Sequence, residues 1–142
     1  MRMNNAYKLA LRRIQDDEGL RLFPYTDTTG NLTIGYGRNL RTRGLRSNEA
    51  NFMLMNDMDE CVADLNKEYP WFASQSDATQ VVLIDMCFNL GFGGLKSFQK
   101  LMFHIEHSEF KEASECLLQS LAAKECPARY ERLAKIMETQ TV

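Results

Sequence analysis

The sequence predicts an α+β fold, mostly α: a small β-hairpin lobe and a larger helical lobe, joined by a long helix, with a cleft between them. Three observations carry this. Two strand-like runs flank the turn "TDTTGN" near the N-terminus. One amphipathic run continues without a break from Ser47 to about Lys67. Beyond it, an apolar segment "DATQVVLIDMCFNL" is followed by three further helical segments. A chain of 142 residues, 44% of them hydrophobic, is long enough for one such domain. The expected division puts residues 19–60 in the small lobe and residues 1–18 plus 61–142 in the helical lobe.

The elements follow in order. Tyr7, Leu11 and Ile14 recur at helical spacing, with Met3 and Ala10 beside them and Lys8, Arg12, Arg13 and Gln15 opposite. This is a short amphipathic helix, ended by Gly19. Strands are expected at Leu20–Tyr25 and Leu32–Gly37, and the Asp, Thr, Gly and Asn between them favour a tight hairpin. In the second strand Thr33, Gly35 and Gly37 share one face and Leu32, Ile34 and Tyr36 the other. The segment "RNLRTRGLR" reads as irregular and basic. Ser47 reads as the N-cap of the long helix, with Glu49 in its first turn. Pro70 interrupts the helical pattern. Residues 77–90 are apolar nearly all round, so they read as the buried central helix, ended by "GFGG". Helices are expected at about 95–107, 108–119 and 127–138, the last with Pro127 in its first turn.

The net charge of −2 gives no whole-chain electrostatic footprint for nucleic acid. Four arginines, Arg38, Arg41, Arg43 and Arg46, nonetheless fall within nine residues; they read as a solvated loop that could also attract an anionic polymer. No signal peptide or membrane span is read. The four cysteines, at 61, 87, 116 and 126, show no metal spacing and read as free thiols. His104 and His107 lack further ligands at a convincing spacing, so no metal and no cofactor are expected.

The stretch "DDEGLRLFPYTDTTGNLTIGYGR" carries the chemistry. Glu18 stands where a helix ends, in the negative pole that disfavours its charged form by about 0.3–1 kcal/mol. A carboxyl that keeps its proton suits a general acid. Asp27 follows across the hairpin turn. Two carboxyl groups flanking one bond are the requirement of glycoside hydrolysis. Thr33 offers a hydroxyl to place a water against Asp27, and the glycines of its strand leave a bare face for a ligand.

"DEGLRLFPYTDTTGNLTIGYG" closely resembles the E-G-L-R-L…Y-x-D-T-x-G-x-x-T-I-G-x-G signature of the phage-type lysozymes, the glycoside hydrolase family 24 endolysins. The Glu-(8)-Asp-(5)-Thr spacing is matched without a gap. "MCFNLGFGGLKSF" and "CPARYERL" are similar to the family's central helix and its Pro-x-Arg-x-x-Arg segment. The resemblance implies a lysozyme-like fold and a peptidoglycan hydrolase that needs no cofactor. It implies Glu18 as general acid, Asp27 as second carboxylate, and Thr33 as the residue placing water in an inverting reaction. It further implies that Arg129 pairs with Glu18, that Asn89 supplies an amide near that glutamate, and that Phe88 faces the cleft. Arg38 stands where some members carry histidine, and Asp57 aligns with that histidine's acid, so an Arg38–Asp57 ion pair is expected. The implied protein is a monomeric muramidase, made in the bacterial cytoplasm and released to the wall by a holin, without nucleic-acid binding or stable membrane insertion. Two rival readings are a lytic transglycosylase, which needs the acid but not Asp27 or a placed water, and a non-catalytic binding module using the arginine run.

Overall fold

The structure, a computed structural model, describes residues 4–142; Met3 lies outside them. It contains eight α-helices among the described residues and one three-stranded antiparallel sheet of order β1-β2-β3. It resolves into two compact units, Met1–Asn51 and Phe52–Val142.

In the first unit, helix α1 (Asn5–Glu18) starts on Asn4, whose side chain accepts the Tyr7 N–H at 2.8 Å. It stops at Gly19, which takes a positive φ of 68° and donates its N–H to the Gln15 carbonyl. Strand β1 (Arg21–Thr26) pairs with β2 (Leu32–Gly35), matching Tyr25 with Thr33 and Thr26 with Leu32. The register slips between Arg21 and Tyr25, the stretch that contains Pro24. Proline has no N–H to give a ladder, so an irregularity there is its natural place.

The second strand is shorter than expected. It ends at Gly35, the chain turns over Tyr36 and Gly37, and β3 (Arg38–Asn39) returns beside it, with Ile34 opposite Arg38 and Thr33 opposite Asn39. Gly35 and Gly37 both have positive φ, 68° and 78°. Such a backbone ends a strand, and glycine adopts it at least cost. The burial pattern also reverses the expectation. Thr33, in the middle of the sheet, is 3% exposed, whereas Leu32 and Tyr36 are exposed. The basic segment is ordered into β3 and a short helix α2 (Leu40–Arg43), capped by the Asn39 side chain.

Helix α3 (Ser47–Glu68) begins at Ser47 itself, so its cap lies one residue before the expected one. Ser47 is already helical, Arg46 accepts the first helical bond, and Glu49 reaches back to the Arg46 N–H at 2.8 Å, half of a capping box.

The second unit holds the main core. Helix α4 (Asp77–Lys96) buries Val82, Leu83, Met86 and Cys87 on one side, while Val81 and Phe88 on the other stay exposed, so it is not enclosed all round. Gly91 (φ 74°) kinks it, and the chain then resumes its helix to Lys96 rather than ending there. Its mean hydropathy reaches 1.3 over 18 residues, enough by composition to cross a membrane, but its apolar side packs in this core. Helices α5 (Gln99–Glu106), α6 (Phe110–Leu118), α7 (Leu121–Glu125) and α8 (Pro127–Thr139) complete the unit. They bring Leu101, Ile105, Leu117, Tyr130 and Met137 against α4 and Leu65. Burial of this cluster, at about 25 cal/mol per Å² of apolar surface, is the dominant stabilising contribution. Helix α7 was not expected from the sequence; a five-residue helix is too short to show a period.

Candidate active site

Glu18, Asp27 and Thr33 all lie in the first unit. Glu18 is the last residue of α1, and its side chain reaches the backbone of Gly37. A Cβ at Gly37 would stand 2.8 Å from Glu18 Oε2 and 3.3 Å from its Cδ. Gly37 therefore has two reasons to lack a side chain: its positive φ, and the carboxyl that occupies the space. This explains a glycine opposite the acid more directly than a general need for a bare strand face.

Asp27 opens the hairpin turn and is held by it. Its Oδ1 accepts the N–H of Asn31 at 2.8 Å, the N–H of Thr29 at 2.9 Å and the Thr29 hydroxyl at 2.9 Å. Its Oδ2 has just a long bond from Asn31 Nδ2, at 3.5 Å. The Asn31 N–H first, then the Thr29 hydroxyl, hold the Asp27 carboxyl below the usual aspartate value of 3.8. Donors aimed at a carboxylate stabilise its charged form. Asp27 is therefore a fixed anion at neutral pH, with one oxygen committed to the turn and the other largely free. Oδ1 meets the structural role of a turn aspartate, and Oδ2 is left available for chemistry.

Thr33 is buried beside this turn and donates its hydroxyl to the Asn31 carbonyl at 3.0 Å. Asn31 thus links the two: its N–H binds Asp27 and its carbonyl binds Thr33. The hydroxyl proton is committed, so Thr33 faces any further partner as an acceptor.

Arg38 does not pair with Asp57. Its two terminal nitrogens bind the two oxygens of Glu49, with Nη2 to Oε1 at 2.6 Å. The turn at Gly35–Gly37 sets β3 beside the start of α3, where Glu49 is already held by the Arg46 N–H. A second carboxylate offered in that fixed position takes the fork of the guanidinium. Arg38, then the Arg46 N–H, draw the Glu49 carboxyl down from 4.5 to about 2.

In the second unit, Arg129 opens α8 and donates Nε to Asp85 Oδ1 at 2.7 Å. The expected partner of Arg129 was Glu18; its ion pair here is with Asp85. Phe88, Asp85 and Arg129 line one cavity of about 380 Å³, together with Val81, Ile84 and Met58. Asn89 follows Phe88 on α4, and its Oδ1 accepts the Tyr130 hydroxyl at 3.0 Å. Tyr130 is fully buried, and burial pushes its phenol up from 10. Sequence reasoning did not single out Tyr130. Its signal was present: a tyrosine one residue after Arg129, on a face that must be buried, needs a partner for its hydroxyl.

The chain matches the phage lysozyme family over residues 15–128, a span that includes Glu18, Asp27, Thr33, Phe88 and Asn89 and stops one residue before Arg129. It is also similar to probable T4-type lysozyme 2 of Dictyostelium discoideum, with 26% identity covering 89% of this chain and 91% of that protein. The match spans both compact units and the whole acid–aspartate–threonine stretch, so the chain belongs to the phage lysozyme family and is a lysozyme-type glycoside hydrolase whose substrate is peptidoglycan.

Proposed function

We propose that this enzyme is a muramidase that cleaves the β-1,4 bond between N-acetylmuramic acid and N-acetylglucosamine with inversion. The observation that carries the reading is the state of Asp27. A carboxylate fixed by three hydrogen bonds on one oxygen and held ionised is unsuited to donate a proton near neutral pH. It can activate a water or meet positive charge. The proton then comes from Glu18, the carboxyl at the end of α1 that lodges against Gly37. Thr33 accepts a hydrogen bond from the attacking water, and Asn89, Phe88 and Arg129 are the second unit's side chains for contact with the glycan. An inverting pair stands roughly 6.5–9.5 Å apart to admit that water.

On this reading the protein is an endolysin. It acts as a monomer, accumulates in the cytoplasm of the host bacterium and reaches the wall after release by a holin, so that the host lyses. The resemblance of the sequence to the phage endolysins supports these points.

The test is product analysis on purified peptidoglycan. The enzyme should release reducing ends, and Glu18→Gln should release none while keeping its fold, since an amide cannot donate the proton. Anhydro ends, together with activity retained in Asp27→Ala, would establish a lytic transglycosylase instead. Near-normal hydrolysis by Glu18→Gln would remove Glu18 from the acid's role.

A further inference from the structure

We propose that the first unit carries a subsite for the peptide stem of peptidoglycan, in which Arg43 binds a stem carboxylate beside the catalytic acid. The proposal rests on the hydrolase reading above and extends it to substrate recognition.

A cavity of about 400 Å³ opens on this unit. Its walls are Ile34, Tyr36 and Leu45, with the bare backbone of Gly35 and Gly37 between them. Gly37 is common to both: the Glu18 carboxyl occupies the space where its side chain would stand, and its backbone lines this cavity. A group bound here therefore lies one residue from the proposed proton donor.

Charge then selects the ligand. Three charged residues line the cavity: Arg38, Arg43 and Glu49. Arg38 and Glu49 are bound to each other through both nitrogens and both oxygens, so their charges cancel locally. Arg43 forms no ion pair among the described residues. It ends the short helix α2, whose cap at Asn39 fixes the path of the segment. The net field in the cavity is thus that of one positive guanidinium over apolar walls. An anion carrying small apolar groups is the complement. A neutral sugar offers no such charge. A stem peptide, joined by an amide bond to the muramic acid next to the scissile bond, offers alanine methyl groups and free carboxylates of its own. Arginine meets a carboxylate with two parallel N–H donors, a geometry lysine does not reproduce.

The experiment compares wild type, Arg43→Gln, Arg43→Lys and Arg41→Gln on sacculi free of teichoic acid. Half of each batch is left native and half has its carboxyl groups converted to amides with carbodiimide and ammonia. The readout is kcat/KM for release of reducing ends. A solvent-exposed pair of this kind corresponds to about a two- to fivefold effect. Arg43→Gln should fall by that factor on native sacculi and match wild type on amidated ones. Arg43→Lys should lie between them, and Arg41→Gln, which removes the same charge outside the cavity, should change less than twofold. Equal losses on both substrates, or none on native sacculi, would overturn the subsite. Failure of wild type to release reducing ends from either substrate would instead overturn the hydrolase reading beneath it.

Discussion

Gly37→Ala is the substitution for which the structure gives the sharpest expectation. Two costs arise and they fall on different observables. The residue has φ +78°, where an alanine is destabilised by about 1–2 kcal/mol. For a chain of this size that is a loss of about 3–10 °C in Tm. Separately, the new methyl would lie 2.8 Å from Glu18 Oε2, against an ordinary contact of 3.4 Å or more. The carboxyl must retreat by about 0.6 Å. A misplacement of about 1 Å can cost about a hundredfold in rate, so a shift of this size should lower kcat by about tenfold. Gly44→Ala separates the two effects. Gly44 also has positive φ (+54°), but a methyl there would meet nothing closer than the Leu40 carbonyl at 4.0 Å. It should lose comparable stability and less than about threefold in kcat. The assay is initial release of reducing ends at saturating sacculi, with melting followed by circular dichroism. Equal losses of kcat in the two variants, or a wild-type kcat in Gly37→Ala, would refute the account of why that position is bare.

Three further outcomes follow from the geometry. Tyr130→Phe removes the hydroxyl that holds Asn89 Oδ1, and should lower kcat several-fold; in a double-mutant cycle with Asn89→Ala the two losses should fail to add, while fully additive losses would separate Tyr130 from Asn89. The Glu49 carboxyl is lowered from 4.5 to about 2 in the folded protein, so the stability it contributes is complete above pH 4.5 and is lost as pH falls towards 2; urea titrations of wild type and Glu49→Gln should differ at pH 6 and converge near pH 2, and a difference unchanged with pH would contradict the pair with Arg38. The Asp27 carboxyl is held below 3.8, so the acidic limb of kcat/KM should lie below that value and move up in Thr29→Ala, which removes one of its donors; an unmoved limb would show that another group sets it.

The elements that carry the candidate residues were legible in the sequence because they are local. Glu18, Asp27 and Thr33 fall within sixteen residues, and a helix end, a turn and a strand are each marked by residue types with a physical reason to be there. The glycine at 19 and the proline at 127 stand where the structure uses them. The expected strand to Gly37 shows the limit of alternation as a signal. Gly35 and Gly37 fit the face pattern, yet their positive φ turns the chain, and nothing in the pattern distinguishes a bare strand position from a turn glycine. Ion-pair partners were the least legible. Arg38 had two acids of equal charge within reach of an argument, Glu49 and Asp57, and the choice depended on where β3 returns. "RSNE" carries the glutamate of a capping box but an arginine where the box has Ser or Thr, so the pattern did not mark Glu49 as held at the helix start. Arg129 was recognised as important from its segment, but its partner Asp85 lies 44 residues away on another helix, a distance that local patterns do not bridge.

The division of labour between Glu18 and Asp27 is the central claim, and the stereochemistry of the first product tests it most directly. With Asp27 as a fixed anion activating water and Glu18 as the acid, water enters from the face opposite the leaving oxygen. Proton NMR during early digestion of a β-linked glycan should show the α-anomer of the new reducing end first, with the β-anomer growing in later by mutarotation. First appearance of the β-anomer would mean a covalent intermediate on Asp27, and the assignment of Asp27 as the base that activates water would be wrong.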